Sequence, residues 1–181
     1  MTKRTSMMAA VAVAGLLAVL APAFAANNKD NMPKDTKFAK EAAAGGLMEV
    51  TLGELATKNA ASQAVKDFGQ RMVDDHGKAN QQLKELAAQK GISLPTALPA
   101  AMRQEHKKLA AASGAAFDRM YMSDMVKDHE KDVKEFEMQA TKGTDPALRS
   151  FAEQTLPTLR EHLDLAKKVA AEVGADHGHH G

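Results

Sequence analysis

Cysteine and tryptophan are missing altogether from the 181 residues, and tyrosine occurs once. Without thiols the chain can form no disulfide, no thiolate-held zinc or iron–sulfur site and no cysteine nucleophile. Aromatic residues make up only 4%, which leaves few rings for stacking on bases. An excess of one charge is lacking too. With 24 Lys and Arg against 23 Asp and Glu, no basic field marks nucleic acid as a partner. Twelve glycines and six prolines are too few for a collagen-like or low-complexity chain, and 44% hydrophobic residues are too many for global disorder. No Gly-rich phosphate loop, Gly-x-Ser-x-Gly elbow or His-Glu-x-x-His string occurs, so serine and lytic zinc catalysis lack their motifs.

The amino terminus has the pattern of an export signal. Lys3 and Arg4 precede an apolar run from Met7 to Ala21, and Ala23-Phe24-Ala25 follows. A basic start, an apolar stretch of about 15 residues and an A-x-A site predict cleavage after Ala25. That run is short of the roughly 20 residues a membrane span needs, so no transmembrane segment is expected after cleavage. Residues 26–35 are polar, carry Pro33 and predict a flexible leader. Residues 36–174 predict one bundle domain, and 175–181 a flexible tail. That tail ends His177-Gly178-His179-His180-Gly181, which reads either as a chelating tract or as an unselected polar end.

From Thr36 onward Ala, Leu, Lys, Glu, Gln and Met dominate, and no stretch alternates with period two. Helices are expected at about 36–59, 62–90, 115–142 and 145–173, with a short one at 99–112. Ser62 and Asp145-Pro146 are the N-terminal signals, and Gly91, Gly143 and Gly174 the C-terminal stops. Tight turns near 60 and 143 make two antiparallel hairpins. The 91–114 connection is much longer than a bundle turn. A helix over 62–90 is about 43 Å long at 1.5 Å per residue, a length that this connection can cross. The second and third long helices are then parallel, an all-α bundle of ferritin-like topology with one long crossover. The alternative is an up-down-up-down bundle with the short helix packed outside.

The apolar seams contain ionisable residues. His76 lies among Val65, Phe68, Met72, Ala79, Leu83 and Leu86, with Asp75 at the seam's edge. His129 lies among Met122, Val126, Val133, Phe136 and Ala140, and His162 among Leu148, Phe151, Leu159, Ala166 and Val169. Glu49 sits with Phe38, Ala42, Gly45, Gly46, Gly53 and Ala56. Every long helix thus turns one such group inward near its middle. Isolated charges in a core are costly, so four of them at one height either satisfy one another or hold a cation. The neighbouring glycines predict room for a close helix contact or for an ion. Pro157 frees the carbonyl of Glu153 and predicts a bend one turn before His162. The string Met-Val-x-Asp-His occurs twice, ending at His76 and at His129, and its aspartates, Asp75 and Asp128, are further candidate ligands or outer acceptors. Met120, Met122 and Met125 either fill the core or offer thioethers to copper.

Phe38 through Glu49-Val50 and Leu52-Gly53, Phe68 to His76, Phe117-Asp118 with Tyr121, Asp128-His129, and Leu156-Pro157 with His162 together resemble the exported ferritin-like family called domain of unknown function 4142. The likeness spans roughly residues 36–172. It implies a ferritin-like four-helix bundle of the bacterial envelope, with Glu49, His76, His129 and His162 as its site and Asp75 and Asp128 beside them. Di-iron ferritins use Glu-x-x-His pairs, whereas Val73 and Leu159 stand three residues before His76 and His162. Ferroxidase or redox catalysis is therefore not supported. Three imidazoles and a carboxylate suit a single Zn, Cu, Mn or Fe ion. The expectation is a periplasmic metal-binding protein with a role in metal handling or stress protection, its partner being the metal ion. The alternative is a metal-free structural or interaction module of the envelope, a homo-oligomer or one that meets another envelope protein, in which the same residues form a hydrogen-bonded network.

Overall fold

The computed structural model describes residues 32–175. The expected signal peptide, most of the leader and the histidines of the tail lie outside the described residues. Five helices follow one another: α1 (Met32–Asn59), α2 (Gln63–Gln89), α3 (Ala100–Ala110), α4 (Gly114–Lys142) and α5 (Pro146–Glu172). No strand occurs among the described residues. Asp145 caps α5 by accepting the N–H groups of Ala147 and Leu148, both at 3.0 Å, with Pro146 in the first turn. Gly91 and Gly174 take left-handed φ values of 65° and 67° and end α2 and α5. Gly143 differs from that expectation. Its φ is −60°, so the left-handed stop is absent there; the side chain of Gln139 crowds the place a Cβ would fill. Helix α5 runs unbroken through Pro157.

Polar contacts at the helix ends fix the directions. Asp35, near the start of α1, accepts hydrogen bonds from Gln139 at the end of α4 and from the backbone of Thr144 and Asp145. Lys90, just past the end of α2, pairs with Asp145 at the start of α5. Asp118, near the start of α4, accepts the N–H groups of Ala61 (3.1 Å) and Ser62 (2.9 Å) at the start of α2. Helices α2 and α4 are therefore parallel, and the segment that carries α3 crosses the length of the bundle between them. Ser62 occupies the N-cap position of α2, but its own side chain makes no cap bond; the Asp118 carboxylate satisfies those amides from another helix.

The two hairpins are built alike. Asp35 and Asp118, Ala61 and Thr144, Ser62 and Asp145, Phe68 and Phe151, and Ala87 and Ala170 all share one constant spacing, and each carboxylate ties down the turn of the opposite hairpin. Asp35 is 4% exposed, so α1 is helical and anchored four residues before the sequence suggests. Within the first hairpin, Gly53 and Gly69 meet: a Cβ on Gly53 would lie 2.5 Å from the Gly69 carbonyl. The side chain of Asn80 fills the place of a Cβ on Gly46. Gly46 and Gly53 serve the close helix contact, and Gly45, the third glycine near Glu49, faces open space.

Apolar packing divides into two clusters. One holds Met48, Leu52, Phe68, Met72, Leu109, Phe117, Tyr121, Met122 and Met125, with Val169 and Ala170. The other holds Phe38, Leu83, Phe136, Leu148, Phe151 and Leu159. Met122 and Met125 are thus core residues, as methionine at helical spacing commonly is.

Candidate metal centre

Between the two clusters lies a polar layer. On α2, His76 falls between Met72 of one cluster and Leu83 of the other. On α4, His129 falls between Val126 and Phe136. On α5, His162 falls between Leu159 and Ala166. All three rings are buried, with His129 at 0% exposure and His162 at 1%. One ring nitrogen from each lies within 4.8 Å of the other two. The ring centroids are 5.3–5.6 Å apart, and His129 is edge-on to both neighbours. Because α2 and α4 run parallel, His76 and His129, at similar depths in their helices, reach the same height.

The hydrogen bonds set the tautomers. Nδ1 of His129 is 2.9 Å from the carbonyl oxygen of Met125. A carbonyl only accepts, so Nδ1 carries the proton and Nε2 keeps its lone pair. Nε2 of His162 is 3.0 Å from Oδ2 of Asp75, and by the same reasoning Nδ1 of His162 is left as an acceptor. Asp75 also receives Arg71 Nε, and Arg71 reaches across to Glu161 at 2.8 Å. Burial pushes Asp75 up, but the hydrogen bonds from His162 and Arg71 outweigh it and hold the carboxyl below its ordinary range. Burial lowers all three imidazoles: His129 to about 4, His76 well below its usual value, and His162 despite the hydrogen bond to Asp75. They are neutral, and neutral imidazole is the metal-binding form.

Five buried side-chain atoms have no hydrogen-bond partner among the described residues: His76 Nε2, His129 Nε2, His162 Nδ1, Glu49 Oε2 and the Tyr121 hydroxyl. Buried polar atoms are normally paired; the three imidazole nitrogens and Glu49 belong to the polar layer, and the Tyr121 hydroxyl to the apolar cluster on one side of it. Glu49 is 2% exposed. Its height follows from its neighbours on α1: Gly53 meets Gly69, Met72 and Val73, and Gly46 meets Asn80, which puts Glu49 level with the turn that holds His76. It nevertheless lies outside the group of three nitrogens within 4.8 Å. Burial raises it well above the ordinary carboxylate range, helped by Asp128, Asp132 and Glu105.

Of the six residues singled out from the sequence, the structure brings His76, His129 and His162 together, joins Asp75 to His162, and leaves Glu49 and the half-buried Asp128 nearby but outside the group. Asp128 is pushed up to about 6 by burial and by Glu105 and Asp124, and Asp132 to about 7 chiefly by burial. Tyr121 is the residue that sequence reasoning did not place in the site. The Phe68 ring lies edge-on to Tyr121 at 6.1 Å and to His129 at 6.2 Å. Its being the chain's lone tyrosine, on an apolar face, was the available signal.

The sequence matches the family described as Domain of unknown function (DUF4142) over residues 20–169. Among solved structures, a DUF305 protein from Streptomyces coelicolor is similar in fold, with a TM-score of 0.69 and 16% identity, covering 81% of this chain and 96% of that one. No curated protein matches in a sequence search.

Proposed function

We propose that this chain, which belongs to the DUF4142 family, binds one transition-metal cation between His76, His129 and His162. What supports the reading is the set of three unpartnered imidazole nitrogens, one from each of three helices, enclosed between two apolar clusters. Three neutral imidazoles suit Zn, Cu, Mn or Fe. Two ligand nitrogens about 2.1 Å from a tetrahedral ion lie about 3.4 Å apart, so small side-chain movements from the present spacing close the site. Asp75 orients His162 and increases its basicity, as outer carboxylates do for metal-bound histidines. Glu49 is proposed as the fourth donor, on the strength of its height beside His76 and its unpartnered Oε2. Asp128 stands outside the ligand set.

The export pattern of residues 1–25 supports a place in the bacterial periplasm, where such a site serves metal handling or protection against metal stress. A metal-free envelope module is the competing reading, and the mutual edge-on packing of the neutral rings favours it. Elemental analysis of the chain, purified without a tag or chelator, separates the two. Wild type is expected to carry about one metal ion more per chain than the His76→Ala/His129→Ala double variant, the tail histidines contributing equally to both. Equal, low metal content in both sinks the metal reading.

A further inference from the structure

All of the chain's sulfur is in methionine, because cysteine is missing. The thioethers are not equivalent. Met72, Met122 and Met125 are 0% exposed and Met48 is 3% exposed, all inside the apolar cluster that holds Tyr121. Met102 and Met120 are partly buried and pack against that cluster. Met138, in the last turns of α4, is 56% exposed, the one exposed large apolar side chain among the described residues.

The fold makes no use of an apolar side chain at that position, since Met138 belongs to neither cluster. It borders two surface hollows instead. One, of about 390 Å³, lies between α1 and α4 and is lined by Phe38. The other, of about 500 Å³, lies between α4 and α5 beside Leu156 and Arg160. A small solute in either hollow therefore meets this side chain. Oxidation turns a thioether into a polar sulfoxide, which disrupts a core. Added to Met122 or Met125, the oxygen would stand unpaired among apolar groups. At Met138 it faces water and leaves the packing intact.

We propose that Met138 is an oxidation site, at which the folded chain takes one oxygen atom from a hydroperoxide. The sulfur attacks the peroxide, an S–O bond forms and the O–O bond breaks. The proton of the transferred oxygen passes to the departing one, which leaves as water or an alcohol. Sulfur loses two electrons and the peroxide gains them. Methionine sulfoxide reductases return the product to methionine. This assignment does not depend on metal binding.

Hydrogen peroxide treatment of the chain in the presence of a chelator, with peptide mapping by mass spectrometry, tests it. Met138 is expected to gain oxygen at least about fivefold faster than Met48, Met72, Met122 and Met125; a smaller ratio overturns the assignment. The change in melting temperature during this first phase is expected to equal that of Met138→Leu treated in the same way. A larger fall in wild type than in the variant would mean that the sulfoxide disturbs the fold, and overturns the assignment as well.

Discussion

Asp75 and His162 belong to different hairpins, yet the Asp75 Oδ2 lies 3.0 Å from Nε2 of His162. This contact leaves the other ring nitrogen of His162 as an acceptor, buried and without a partner among the described residues. It also ties the outermost ion pairs, Arg71 with Asp75 and Glu161, to the buried layer. Replacing Asp75 with Asn releases the ring and its tautomer. Metal affinity measured by competition with a chromophoric chelator is expected to fall about 10- to 100-fold, with the metal-free fold retained. Affinity equal to wild type would show that Asp75 has no such role.

Acid acts on the imidazoles. His129 titrates at about 4 in the folded chain and near its ordinary 6.5 when unfolded. The unfolded state therefore binds more protons between these values, and stability is lost as pH falls through them, by about 3 kcal/mol from His129 alone. His129→Leu removes that loss. Its melting temperature relative to wild type, both free of metal, is expected to rise steadily as pH is lowered from 6.5 to 4; a pH-independent difference contradicts the shift.

The carboxylates work in the opposite sense. Asp132 is raised to about 7, so the folded chain binds the extra proton, and its stability contribution is present below about pH 4 and lost as pH rises through 7. Asp132→Asn is expected to match wild type at pH 4 and to melt at least about 3 °C higher at pH 8. Thermal denaturation followed by circular dichroism reads both.

Two glycines of α1 predict opposite outcomes. A Cβ at Gly53 would press into the backbone of α2, whereas one at Gly45 would meet nothing within 4 Å. Gly53→Ala is expected to destabilise by about 1–3 kcal/mol, and Gly45→Ala to stabilise by up to about 1 kcal/mol through helix propensity. Urea denaturation of the two variants checks the pair, and a Gly53→Ala variant as stable as Gly45→Ala would deny the close contact.

Much of this was legible in the sequence. Helix formers broken by Asp145-Pro146 and Gly91 mark the helices because caps and stops are local chemistry, and the long 91–114 connection allows the parallel crossover, which the bonds of Asp118 to the start of α2 decide against the up-down-up-down alternative. The three histidines stand out because each interrupts an apolar seam. Long-range pairings were not legible. Asp118 caps the start of α2 from another helix, and Asp35 looks like leader until the α4–α5 turn closes on it. The glycines around Glu49 allowed either an ion or a close contact; the partners Gly69 and Asn80, which decide it, lie on α2. Tyr121 reads as a core aromatic, and only its unpartnered hydroxyl connects it with the site.

X-ray absorption at the edge of the bound metal tests the central claim most directly. The account predicts three nitrogen donors at about 2.0–2.1 Å, with the outer-shell scattering of imidazole rings, and the loss of that signal in His129→Ala. A first shell made only of oxygen, or an imidazole signal unchanged in His129→Ala, would contradict it.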